Sequence, residues 1–179
     1  NKDDNNLQNV NILNFSSADQ SQLRNSMIFS GLDVIKYNLN RKKNNLKLFE
    51  IGKEYHKSNN GKYLEKEKLS VFIYGDRNNL NWNTQNKKSD FFYLKGVVNS
   101  IIKKLGFNSV KSKPLTTNNI QEGETIYYQK SEILSYGIID DKICKKFEIN
   151  ENVLYAELNV NMIIDKYSDQ PIHFKKISK

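Results

Sequence analysis

Apolar residues recur along this chain with two different periods, and the switches between them mark out its elements. Met27, Gly31, Val34, Ile35 and Leu39 follow at steps of three and four, which sets them on one side of a helix, with Arg24, Asn25, Lys36 and Asn40 on the other. Asn25 or Ser26 supplies a cap for its start. After the polar run RKKNN the period changes. Leu46, Leu48, Phe49 and Ile51 form a short apolar run closed by Gly52, as in a mostly buried strand, and a strand is expected from Leu46 to Tyr55.

A second strand is expected over Leu69 to Tyr74, ended by Gly75. Between the two, HKSNNGKYLEKEK offers turn chemistry at Asn59-Asn60-Gly61, which implies an antiparallel hairpin with a long charged tip holding Glu65 and Glu67. Upstream, Asn1 to Asn6 reads as a loose tail and Val10 to Leu13 as a short strand leading to a turn at Asn14, Ser16 and Ser17. Downstream, Asp76 to Lys88 with Trp82 reads as a long loop. Ser89 or Asp90 then caps a helix whose Leu94, Val97, Val98, Ile101, Ile102 and Leu105 form one stripe, with Gly106 at its end. Strands follow at Lys111 to Pro114, Thr125 to Gln129 and Ile133 to Ile139. Asp140-Asp141 then turns into a short helix around Ile143 to Phe147, a strand covers Val153 to Leu158, and a closing helix covers Asn159 to Tyr167. Hairpins interleaved with helices give an α+β fold, an antiparallel sheet flanked by helices.

A length of 179 residues suits one domain, and 37% hydrophobic residues with two prolines is ordinary for that class. The formal charge of +8 suggests an anionic partner, yet the basic side chains are nearly all lysine, with arginine only at Arg24, Arg41 and Arg77. Scattered lysines give affinity without base readout, so the charge suits both a solvated surface and an RNA-facing one. Cys144 is the only cysteine, which excludes an intrachain disulfide and favours a reducing, cytoplasmic setting. No apolar run reaches signal-peptide or membrane-span length, so no membrane partner is expected.

Candidate chemistry is sparse. His56 and His173 are the only histidines and neither has a cysteine or carboxylate cluster at ligand spacing, so no metal site is expected. Glu65 with Glu67, and Asp140 with Asp141, read as solvated charge and as a turn rather than as acid/base pairs. Cys144 reads as a small buried residue of a short amphipathic helix rather than a nucleophile, and Gly75-Asp76-Arg77 matches no phosphate-binding loop.

Six ordered segments carry a more specific signal: LRNSMIFSGLDVIKYNLNR with LFEIGKEY, EKEKLSVFIYG, FFYLKGVVNSIIKKLG, SYGIIDDKICKKFEI and VLYAELNVNMII. In this order they resemble the bacterial phenylalanine–tRNA ligase beta subunit, in its catalytic-like module. The resemblance implies a class II aminoacyl-tRNA synthetase-like core over residues 10–168, a flexible tail at 1–9, and at 169–179 a linker toward an anticodon-binding domain. It also implies an α2β2 heterotetramer in which the first helix lies at the subunit interface. Ile28, Leu32, Ile35 and Tyr37 are the candidate interface residues, while Met27, Val34 and Leu39 face the core.

The same resemblance puts catalysis elsewhere. The family pattern needs an arginine on the first hairpin strand and a glycine-rich strand leading to another arginine, because guanidinium forks grip phosphate oxygens. Here His56 stands at the first position, Ala156 to Asn161 at the second, and no arginine follows Arg77. A side chain such as Leu158 would fill the space a nucleotide needs, so the ATP pocket is expected to be filled or absent, with no catalytic, cofactor or metal residues in this chain. ATP and magnesium are implied for the parent complex alone. The function this implies is a non-catalytic structural module, packing against the catalytic alpha chain of a complex that attaches phenylalanine to its tRNA. The alternatives are a basic RNA-contacting module that binds tRNA backbone, and an independent ATP-dependent ligase with a rearranged site, which the missing arginines argue against.

Overall fold

The structure, a computed structural model, describes residues 7–13, 21–78 and 87–167. Ser26 lies in extended backbone and its hydroxyl accepts from the Ile28 N–H, which starts helix α1 (Met27–Leu39). The chain then forms the hairpin β1 (Leu46–Lys57) and β2 (Tyr63–Tyr74). This hairpin has a shorter tip than the sequence suggests, because Tyr63 to Leu69 pair residue for residue with Lys57 to Ile51. Opposed charges explain it: Lys53 faces Glu67 and Glu54 faces Lys66 across the ladder, and Lys53 Nζ bonds Glu65 at 2.9 Å. Glu65 and Glu67 are therefore strand residues.

Asp90 caps α2 (Phe91–Lys104) by accepting from the Tyr93 N–H, and Gly106 at φ 79° takes the chain out of it. Three strands follow, β3 (Val110–Leu115), β4 (Ile120–Tyr128) and β5 (Ser131–Ile139). The short α3 (Asp141–Lys146), capped by Asp140, leads to β6 (Leu154–Asn159) and α4 (Val160–Tyr167). All pairings are antiparallel, in the order β1-β2-β6-β5-β4-β3, so the last strand enters between the hairpin and the β3–β5 meander. Val10 to Leu13 is not a strand. It is held by one bridge, Asn11 to Gln22, while Gln8, inside the expected tail, exchanges two 2.9 Å hydrogen bonds with Lys57. Asn1 to Asn6, the turn at Asn14 to Ser17, Trp82, His173 and the 169–179 linker lie outside the described residues.

Strand alternation sends side chains to two cores. On one face Leu94, Val98 and Ile102 of α2 meet Ile73, Leu134, Leu154, Ala156 and Leu158. On the other, Ile28, Leu32 and Ile35 of α1 meet Leu46, Phe72, Tyr155 and Ile139, with Cys144 of α3 alongside. The expected division of α1 is thus corrected. Ile28, Leu32 and Ile35, expected at an interface, are buried in this chain, whereas Val34, expected in the core, is 46% exposed; of the candidate residues only Tyr37 faces outward, 56% exposed. The reason is Gly31, where a Cβ would come within 2.0 Å of the Phe72 ring: its bare backbone seats on Phe72 and carries the flanking residues inward. β1 is also less buried than its apolar run suggests, since it is an edge strand whose Phe49 and Ile51 project on the α2 side of the sheet and are exposed.

Gly31→Ala is expected to lower stability by about 1–3 kcal/mol, as overpacking does when the displaced ring is itself buried. Gly96→Ala, in α2 with nothing near its Cβ, should instead raise stability by up to about 1 kcal/mol. Denaturant midpoints of the two variants test both signs.

Candidate functional site

The α1 side of the sheet carries an unusual row of polar residues. β-sheet register aligns Ser70 of β2 with Glu157 of β6, Glu157 with Ser135 of β5, and Ser135 with Thr125 of β4, so one line of polar side chains crosses four strands. Ser70 and Thr125 are buried. Lys68 Nζ donates to Glu157 at 2.6 Å, and Tyr155 donates its phenol proton to the other oxygen of Glu157 while lying 3.1 Å from Ser70 Oγ. Burying an ion pair is costly unless its remaining lone pairs are satisfied, and here a phenol helps to satisfy them.

Glu54 of β1 adjoins this group. Its carboxylate accepts from the Met27 N–H at 3.1 Å, so it serves the start of α1, and His56 Nε2 lies 3.8 Å from its second oxygen. Burial, and after it the Glu157 charge, pushes the Glu54 carboxyl up to about 7. Burial acts to lower the Lys68 ammonium, but the charge and hydrogen bond of Glu157 outweigh it and hold that group above the ordinary lysine range. Burial and then Glu157 also hold the Tyr155 phenol well above its ordinary value, which keeps it a donor.

Above these residues lies a cavity of about 340 Å³. Glu54, Glu132 and Glu157 line it, together with Thr125, Ser135 and Tyr127, and its rim is Ser26 and Ile28 of α1 with the Leu115 to Ile120 turn. The expectation that Leu158 occupies open space on this sheet does not hold for this cavity. Leu158 does not enter the cavity, because alternation along β6 sends it and Ala156 into the α2 core and leaves Tyr155 and Glu157 facing α1. Neither Glu157 nor Glu54 stood out in the sequence. The available signal was the lone acid Glu157 inside an apolar strand, whereas Glu54 shares β1 with Glu50 and three lysines and carried no such mark.

The arginines lie away from the cavity lining and are tied up. Arg24 bonds Glu50 at 2.6 Å and the Lys53 carbonyl, Arg41 stacks 3.4 Å over the Tyr37 ring, and Arg77 pairs with Asp90. Cys144 is buried, and its thiol is pushed up to about 11 by burial first and by Asp141 and Asp140 after it. Among the described residues no group of histidine, cysteine and carboxylate side chains could hold a metal, and no helix is long and apolar enough to cross a membrane.

Glu54 makes a pH prediction. Its folded value of about 7 lies above the ordinary 4.5, so between those values the folded state holds a proton that the unfolded state has lost. Stability should therefore fall as pH rises through that window, by on the order of 1–2 kcal/mol, and level off above it. Glu54→Gln keeps an acceptor for Met27 and should flatten this limb. Urea midpoints between pH 4.5 and 8 measure it, the lower bound being the ordinary value.

Comparison with known proteins agrees with this architecture. The family model for the phenylalanyl tRNA synthetase beta chain CLM domain matches residues 1–160. The phenylalanine–tRNA ligase beta subunit of Bacteroides thetaiotaomicron is 31% identical over 181 aligned positions, covering 95% of this chain and 22% of that protein. That of Carboxydothermus hydrogenoformans is 32% identical over 163, covering 86% and 20%. The chain thus spans about a fifth of the length of these curated relatives. Among solved structures, a pyrrolysyl tRNA synthetase from Desulfitobacterium hafniense superposes with a TM-score of 0.65 at 13% identity, over 89% of this chain and 52% of that one, which places the fold among class II-like synthetases. On the match over most of its length, the chain belongs to the phenylalanyl-tRNA synthetase beta chain CLM domain family.

Proposed function

We propose that this chain is a non-catalytic structural module of a phenylalanine–tRNA ligase beta chain that packs against the catalytic alpha chain. One observation carries the reading. The cavity under α1 is lined by three carboxylates, Glu54, Glu132 and Glu157, while all three arginines of the chain are committed to contacts elsewhere. A triphosphate needs guanidinium forks or comparable cations, and carboxylates repel it. On this reading ATP and magnesium act in the alpha chain, and this module contributes surface.

The surface in question is the outer side of α1. Phe29, Val34 and Tyr37 are exposed there, with Phe29 stacked on Phe147 at 6.4 Å between ring centres. Aromatic and aliphatic groups left outside a full core suit the apolar centre of a lasting interface. The alternative, direct contact with tRNA backbone, is weakened because Lys36, Lys53, Lys68, Lys88 and Lys95 all pair with glutamates.

Val34→Asp and Tyr37→Asp should leave the circular dichroism spectrum unchanged and weaken association with the cognate alpha chain at least about tenfold, or about 1.4 kcal/mol. Wild-type affinity in both folded variants would remove this helix from the interface. The isolated chain should also support no phenylalanine-dependent pyrophosphate exchange, and exchange above a no-enzyme control would overturn the non-catalytic reading.

A further inference from the structure

We propose that the cavity under α1 is a binding site for a small primary amine that also carries a neutral hydroxyl, an amino alcohol in its simplest form. At about 340 Å³ the cavity falls within the range of roughly 300–1,000 Å³ typical of small-molecule pockets. Its lining has two poles. Glu54 and Glu157, with Glu132, form an acidic end, and no lysine or arginine belongs to the lining. Lys68 of β2 is engaged with Glu157 and also attracts Glu54 and Glu132. An ammonium placed here meets the Glu54 and Glu157 carboxylates and would offset both the burial of Glu54, which chiefly raises its carboxyl, and the smaller repulsion from Glu157. A carboxylate or phosphate would add to it.

Thr125 defines the other pole. It is only 4% exposed, it lines the cavity, and its hydroxyl has no hydrogen-bond partner among the described residues. Ser135, its cross-strand neighbour in the same lining, is in the same position. Elsewhere in the wall Ser26 and Thr117 accept from backbone N–H groups, and Tyr155 is bonded on both sides. Both hydroxyls open on the cavity, Ser135 being half-buried, and a ligand hydroxyl entering it would replace solvent as their partner. Glu157, Ser135 and Thr125 lie in register on consecutive strands, so the two poles are about 10 Å apart at strand spacing. Allowing a hydrogen bond at each end, a short aliphatic chain joins them, and Ile28, Leu115 and Ile120 supply apolar contact for its methylenes.

The test titrates the 179-residue chain with 4-amino-1-butanol and follows backbone amide shifts. Saturable shifts at Thr125, Ser135 and Glu157 with a Kd of about 1 mM or tighter are expected, with butylamine at least about threefold weaker and butyrate not binding. Thr125→Val, nearly isosteric, should erase the advantage of the amino alcohol over butylamine and leave butylamine itself unchanged. Glu54→Gln should weaken both amines at least about threefold. The proposal is overturned by the absence of saturable shifts up to about 10 mM, by shifts centred elsewhere, by equal binding of butyrate, or by a hydroxyl preference that survives Thr125→Val. Should Glu54→Gln fail to fold, the Thr125→Val comparison decides alone. None of these results depends on the alpha chain, so the scaffold reading stands or falls separately.

Discussion

The structure depends on β6, a six-residue strand that enters last, at the centre of the sheet. It pairs with β2 on one side and β5 on the other, joining a hairpin from the front of the chain to a meander from its second half. Because side chains alternate, this one segment also supplies both faces. Leu154, Ala156 and Leu158 close the core beneath α2, while Tyr155 packs against Phe72 at 5.0 Å between ring centres beneath α1. A slip of one residue would put Glu157 into the apolar core and Leu158 into the polar row, so register here is enforced from both sides at once.

Glu157 makes that enforcement strict. A carboxylate in the middle of a sheet is tolerable only where its charge is met, and Lys68 and Tyr155 meet it in this register alone. The same group then sets the properties of its neighbours. It holds up Lys68 and, second to burial, the phenol of Tyr155 and the carboxyl of Glu54, which in turn receives the first N–H of α1. The seat of α1 is thereby tied to the polar row through Glu54 as well as through Gly31 on Phe72.

What could be read from the sequence follows the range of the forces involved. The helices were legible to their caps, because Ser26, Asp90 and Asp140 bond N–H groups only two or three residues away. The α2 stripe was legible because one face of that helix is buried and the other is not. The first part of β2 was not, since EKEK gains its strand character from charges opposite it on β1. The outward face of α1 was misassigned for a related reason: both sides of the helix carry apolar residues, and only the Phe72 ring, far along the chain, decides which side turns in.

The candidate site was least legible of all, and the reason bears on what the fold retains. Its residues are spread over β1, β2, β4, β5 and β6, and only strand register brings them together. The resemblance implied phosphate-gripping arginines that this sequence does not carry, and with it an ATP pocket either filled or absent. Filling requires a large residue at an inward-facing position, and along β6 the faces alternate: the bulk of Leu158 lies in the opposite core, while Glu157 faces α1 with Lys68 as its counter-ion. A buried charge resists replacement of its partner, because removing Lys68 alone would leave Glu157 unpaired at a cost of about 3–5 kcal/mol. A polar, open cavity maintained by mutual dependence of this kind persists for reasons of stability whether or not it is used.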